Sequence, residues 1–306
     1  MWRALILNRQ EISMTNHPLG ELIDNEPMSK HTTWRVGGVA QRYFKPASKA
    51  ALIQFVQQLP ADEPLFWLGL GSNLLVRDGG IKGTVIAQTN QLNALNVSSH
   101  SCYAEVGVTC AKVARATSKA HLTGVEFLAG IPGTIGGALA MNAGAFGGET
   151  WDWVTEVEIL TRSGVVQKRL KSDFEVGYRK VNLAQDEYFL SATLALNPAE
   201  DESGAEKIKA LLKRRGESQP TNKPTCGSVF KNPEGHHAAK LIESIGLKGY
   251  KLGGACISPK HANFIENMGH ASARDIESLI YYIQEQVAEK TGIQLVTEAK
   301  IVGISE

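Results

Sequence analysis

Apolar residues recur along this chain with two periods, and the switching between them reads as alternating helices and strands. After Ser48, the positions Leu52, Phe55, Val56 and Leu59 follow helical spacing, with the serine placed as N-cap. Leu65–Leu68 reads as a buried strand, so residues 34–83 predict a small α/β unit. Between residues 85 and 200 strand signals dominate, at 84–87, 154–160, 165–170 and 188–196, with helical spacing after Cys110 and one long glycine-rich loop. A charged helix-forming stretch at 205–215 runs toward Pro220 and Pro224, which mark a boundary. The last third predicts a helix near 237–245 and a second over 272–290. In the second, Ser272 is the N-cap, Asp275 sits at N3, Ile276, Leu279, Ile280, Ile283 and Val287 form the buried stripe, and Gly292 ends it.

At 306 residues, 43% hydrophobic and 21% charged, the chain is long enough for two or three packed domains and outside the disordered and fibrous classes. With 32 basic against 31 acidic side chains its net charge is +1, which gives no electrostatic reason for a nucleic acid or membrane partner. Cys102, Cys110, Cys226 and Cys256 form no CxxC pair and no zinc-spaced cluster, so reduced thiols in a cytoplasm are expected and no metal site is. The opening residues lack the long apolar core and cleavage site of a signal peptide, and no run reaches transmembrane length. Two readings of residues 1–13, ahead of Met14, stay open: an upstream extension or a misassigned start.

Two loops suit a phosphate ligand. The first, Gly69-Leu70-Gly71-Ser72-Asn73-Leu74, follows the strand Leu65–Leu68 and adds a hydroxyl and an amide to its free backbone. It is not a dinucleotide fingerprint of the Rossmann type, because Leu74 holds the third glycine position. The second runs from Gly130 through Ile131, Pro132, Gly133, Thr134, Gly136, Gly137, Asn142 and Ala143 to Gly144, with seven glycines between Gly130 and Gly148. Glycine lets backbone approach a ligand closely, and a tight turn needs fewer of them. Two such loops without the Rossmann pattern point to a different dinucleotide fold.

Candidate chemistry lies elsewhere. The stretch Gly227-Ser228-Val229-Phe230-Lys231-Asn232-Pro233 places a hydroxyl, a cation and an amide within five residues. Gly177-Tyr178-Arg179 adds a second cation, and Glu298 is a lone acid in the apolar segment 295–303. Singly these are weak signals: Ser228 reads as a turn hydroxyl, Arg179 as a surface cation, Glu298 as an outward strand acid and His261 as a satisfied core histidine. Cys226 has no paired base and is rejected as a nucleophile.

Taken in order, these motifs resemble those of the UDP-N-acetylenolpyruvoylglucosamine reductases, the MurB family. The matching stretches are Thr32-Thr33-Trp34-Arg35-Val36-Gly37-Gly38, the first glycine loop, Gly124-Val125-Glu126-Phe127-Leu128-Ala129 entering the second, Gly177-Tyr178-Arg179, the serine heptapeptide, Lys260-His261-Ala262-Asn263-Phe264-Ile265 and the surroundings of Glu298. They span roughly residues 30–303.

The resemblance implies an α+β protein with the FAD-binding fold of the vanillyl-alcohol oxidase type. Its two α/β subdomains would be 14–85, joined by a returning strand in 295–306, and 86–215, with a substrate-binding α+β domain at 216–294. It implies non-covalent FAD on the two loops, NADPH as co-substrate, and reduction of an enolpyruvyl ether of UDP-N-acetylglucosamine in peptidoglycan precursor synthesis. Arg179 and Glu298 would stabilise the enolate and Ser228 would protonate it. Tyr178, Lys223, Lys231, Asn232, His261 and Asn263 would contact substrate. Only about eight residues separate Arg179 from the strand near Tyr188, so the chain resembles the subdivision without a long tyrosine-bearing loop over the substrate. The remaining partners expected are small molecules, and a monomer is favoured. Two other readings stay open at this stage: a flavin oxidase of the same fold, and a non-catalytic nucleotide-binding protein.

Overall fold

The computed structural model describes residues 13–201 and 203–305, so the stretch ahead of Met14 lies almost entirely outside the described residues. Helix α1, Lys49–Gln58, starts where Ser48 Oγ accepts the Ala51 amide at 3.1 Å, and buries Leu52, Phe55 and Val56. Further along come α2, Cys110–Lys119, α3, Ile135–Met141, α4, Gly204–Ser218, α5, Ala238–Ser244, and α6, Ala273–Thr291. In α6 a capping box joins Ser272 and Asp275, the stripe from Ile276 to Val287 is buried, and Gly292 closes the last turn at φ 74°.

Helix α3 departs from the sequence reading, which has a continuous loop from Gly130 to Gly144. Thr134 caps it by accepting the Gly137 amide, and Ile135, Ala138 and Leu139 are buried at helical spacing. Asn142 ends it in the left-handed region, at φ 45°. Two glycines lower the intrinsic helix propensity here, and burial of the apolar stripe overrides them.

Among the described residues, three sheets of three or more strands organise the chain. The first has five strands in the order Ser13–His17, Gly20–Pro27, Val39–Pro46, Ile81–Ala87, Leu65–Leu68, with antiparallel pairing on one side and parallel pairing on the other. The second, also five-stranded, is antiparallel throughout and orders Val166–Leu170, Val154–Thr161, Glu187–Ala195, Ser101–Glu105 and Leu95–Val97. A three-stranded sheet, Lys251–Leu252, Ala255–Ile257 and Ile265–Asn267, packs with α5 and α6. The returning strand, Lys300–Val302, pairs parallel with Leu74–Val76, directly after the first glycine loop. It is shorter than the expected 295–306 segment, and Glu298 precedes it instead of lying on it.

The buried side chains fall into three clusters that cross these sheets. Trp34, from the loop between the first sheet's strands, is fully buried among residues of the C-terminal sheet and its helices. Its indole donates to the Ile265 carbonyl at 2.7 Å, and Asn267 donates to the Trp34 carbonyl at 2.8 Å. The C-terminal third is thereby tied to the loops that begin the chain.

Candidate active site

The first glycine loop turns through Gly71 at φ 61°, where an added Cβ would lie 2.0 Å from the His31 carbonyl oxygen. Among the described residues the amides of Ser72 and Asn73 donate to no protein acceptor. A cleft of about 370 Å³ separates this loop and the strand Leu65–Leu68 from the second glycine segment and α3. Gly69, Gly71, Ser72, Asn73, Leu74, Ile131, Gly133, Thr134, Gly137 and Ala143 line it. A Cβ on Gly133 or Gly137 would meet only ordinary van der Waals contacts, none nearer than 3.6 and 3.9 Å, so the bare backbone there forms a cradle. Free amides and a cleft of this shape fit the diphosphate-bearing half of FAD.

A second pocket, of about 310 Å³, continues from the first and shares Ser72, Asn73, Ile131, Met141 and Ala143 with it. Arg179, Ser228 and Glu298 all line this pocket, as do Gly130, Pro132, Gly144, Tyr178, Asn232 and Asn263. Each is placed by a different device. Arg179 occupies the turn of a two-stranded hairpin, Val176–Gly177 with Lys180–Val181, at φ 54°. That left-handed conformation costs a non-glycine residue about 1 kcal/mol, a strain found where geometry is held for use. Its guanidinium donates to the Asn142 and Gly144 carbonyls at 3.2 and 3.0 Å and to Glu298 at 3.2 Å, while Lys231 Nζ donates to the Arg179 carbonyl at 3.2 Å.

Ser228 rides on a backbone clamped from both sides. Asn263 bonds the Phe230 amide and carbonyl, each at 2.9 Å, and Val229 accepts the Glu298 amide at 2.7 Å. The Ser228 hydroxyl bonds no other described side chain and is left available to a ligand. Asn73 donates to the Glu298 carbonyl at 3.0 Å and so links the first glycine loop to the acid. Burial pushes the Glu298 carboxyl above the usual glutamate range, with the Arg179 guanidinium opposing that shift.

Several expected contacts lie elsewhere. Gly136 faces inward: a Cβ there would meet Gln88 and Val106 at 2.9 Å, so its bareness serves helix packing and not the cleft. The Asn142 side chain is buried and spent on Glu149, Gly177 and the Trp151 amide. His261 lines none of these pockets; it accepts the Asn263 amide and packs edge-on against Phe264, and burial lowers its pKa. Lys231 lines none of these pockets and bonds the Arg179 carbonyl, and Lys223 lines a larger adjoining cleft of about 1160 Å³. Arg215, Met141, Phe146 and Phe264 line the second pocket without having been named as expected contacts. Arg215 sits in a run of helical charges that masks it, whereas Phe264 stands beside Asn263 in a stretch the motifs already marked. All four cysteines are buried free thiols, and burial holds Cys226 well above its ordinary value, as suits its rejection as a nucleophile. No helix among the described residues is long and apolar enough to cross a membrane.

The C-terminal domain of UDP-N-acetylenolpyruvoylglucosamine reductases matches residues 219–302, and an FAD-binding domain matches residues 40–169. The reductase of Methylococcus capsulatus is 53% identical over 285 residues, covering 93% of this chain and 94% of that protein. That of Alkalilimnicola ehrlichii is 52% identical over 284 residues, covering 93% and 95%. The crystal structure of the MurB reductase from Thermus caldophilus superposes with a TM-score of 0.76 at 29% identity, covering 95% of this chain and 98% of that one. The chain belongs to the UDP-N-acetylenolpyruvoylglucosamine reductase family, MurB.

Proposed function

We propose that this protein reduces the enolpyruvyl ether of a UDP-linked N-acetylglucosamine to the corresponding lactyl ether, UDP-N-acetylmuramate, with NADPH as reductant. The observation that carries the reading is the meeting of Arg179, Ser228 and Glu298 in one pocket continuous with the glycine cradle. Residues 14–85 with the returning strand, and residues 86–215, supply the FAD cradle; residues 216–294 supply the substrate wall. Bound FAD provides a hydride acceptor and donor that serves both substrates in turn. Buried free thiols suit a reducing compartment.

The protein's own residues do the rest. Hydride delivery to the vinyl terminus drives negative charge through the neighbouring carbon into the carboxylate. Arg179, preplaced on three acceptors, meets that charge without reorganising, which is worth about 10²-fold or more in rate. Glu298, with its raised proton affinity, donates a hydrogen bond to the same carboxylate when protonated. Ser228 gives its hydroxyl proton to the carbon next to the carboxylate, completing the saturated product. Asn263 fixes Ser228 through the backbone, and Lys231 fixes Arg179.

The test uses the FAD-loaded protein without oxygen. NADPH should bleach the flavin, and the enolpyruvyl sugar nucleotide should restore its colour with one equivalent of lactyl product by mass spectrometry. Colour restored only by oxygen would make the protein an oxidase and end this reading.

A further inference from the structure

The larger cleft has no role in the chemistry above. Its volume, about 1160 Å³, is several times that of the reaction pocket, and the two share Ser72, Pro132, Arg215, Gly227 and Phe264. Arg215 stands at that junction with no carboxylate in ion-pair range among the described residues, although burial depresses its proton affinity. Its guanidinium donates to the Gly130 carbonyl and the Gln219 side chain, neither of which neutralises the charge, so an anion entering the junction meets an unneutralised cation. Beyond it the wall carries Lys30, Arg35 and Lys45, which line the larger cleft alone. Glu26, itself buried, holds Lys30 at 3.4 Å and His31 at 2.8 Å, and Lys45 pairs with Glu21 at 3.1 Å. Each ammonium group keeps donors free beyond its carboxylate bond. Lys30 and Arg35 lie on the loop fixed by the buried Trp34, and Lys45 lies on the strand Val39–Pro46 that follows it.

Both proposed substrates carry a diphosphate close to their reacting end, and only NADPH carries a further phosphate on the distant ribose. Cations at the junction serve both molecules. Cations placed beyond it serve the one that reaches them. We propose that Lys30, Arg35 and Lys45 bind the 2′-phosphate of NADPH and set the preference for NADPH over NADH. This rests on the reductase reading.

The probes are 2′,5′-ADP and 5′-ADP, titrated by calorimetry into the FAD-loaded protein, wild type and Lys30→Ala/Lys45→Ala. Arg35 stays in place so that the two lysines are tested on their own. Wild type should bind 2′,5′-ADP at least about tenfold more tightly than 5′-ADP, and the double variant should lose that preference. In turnover, the ratio of kcat/KM for NADPH over NADH should fall by the same factor, with the flavin spectrum retained. Each single variant should lose part of the preference. Equal weakening of both nucleotides, or no change in either, overturns the assignment. If wild-type flavin is bleached by neither NADPH nor NADH, the reductase reading fails instead.

Discussion

Arg179 Nε lies 3.2 Å from Glu298 Oε1, and yet the carboxyl holds its proton more tightly than an ordinary glutamate does. Both side chains are about 15% exposed, so the acid loses more hydration than the neighbouring guanidinium returns. An ion pair with this imbalance is poised: a substrate carboxylate arriving beside Arg179 competes with Glu298 for the cation and pushes the acid further toward its protonated, donating form.

The imbalance makes a prediction about stability. An acid whose pKa rises on folding contributes favourably below the ordinary glutamate value, and that contribution is lost as pH climbs through the raised one. Glu298→Gln removes this titration. Urea unfolding of the flavin-free proteins across a pH series should therefore show wild type losing ground to the variant as pH rises from about 4.5, then a plateau. A difference that moves the opposite way would mean that pairing with Arg179 outweighs burial.

Two glycines of the same segment should behave in opposite ways. At Gly136 an added methyl meets Val106 and Gln88 at 2.9 Å, so Gly136→Ala should cost about 1–3 kcal/mol of stability in the flavin-free protein. At Gly133 the nearest protein atoms are 3.6 and 3.7 Å away, so Gly133→Ala should leave the unfolding midpoint nearly unchanged. The methyl would instead fill the cradle and weaken FAD by at least about tenfold, read by fluorescence titration. Unaltered FAD affinity in Gly133→Ala would move the cofactor out of this cleft.

The contrast shows where sequence reading stops. Helices α1 and α6 were legible because cap and apolar stripe agree, Ser48 with Leu52 and Phe55, Ser272 with Ile276 and Ile283. Helix α3 was hidden, since its stability comes from packing of Ile135 and Leu139 and not from propensity. A glycine marks close approach without saying to what, so Gly136, packed on the core, looked the same as Gly133, facing the cleft. Ser228, Arg179 and Glu298 were found through ordered motifs, and no periodicity would have joined positions so far apart. The larger cleft was invisible for the same reason: residues 21–45 and 212–225 form its walls only after folding.

Asn263 should matter more than its distance from the chemistry suggests. Its amide is buried and satisfies both backbone groups of Phe230 at 2.9 Å. Asn263→Ala leaves a buried N–H and C=O without partners, a loss of about 2–4 kcal/mol by urea unfolding. Asn263→Asp keeps the acceptor and should fall between. Because the same bonds hold the segment bearing Ser228, flavin reoxidation by the sugar nucleotide should slow in both variants more than flavin reduction by NADPH. Wild-type stability in Asn263→Ala would show that the clamp is dispensable.

Ser228→Ala should separate the half-reactions most cleanly. The hydroxyl makes no hydrogen bond to another described side chain, so its removal leaves no protein partner unpaired and the fold and flavin content should persist. Reduction of the flavin by NADPH requires no proton from Ser228, and anaerobic bleaching should run near the wild-type rate. Reoxidation by the enolpyruvyl sugar nucleotide requires the enolate carbon to be protonated, and should slow by about 10²–10⁴-fold, the range for loss of a general acid. Ser228→Cys should recover part of the loss, since a thiol also donates a proton while differing in size and reach. Stopped-flow absorbance resolves the two halves. Equal slowing of both would assign Ser228 to shaping the pocket and turn the search for the proton donor to Glu298, Lys231 or a bound water.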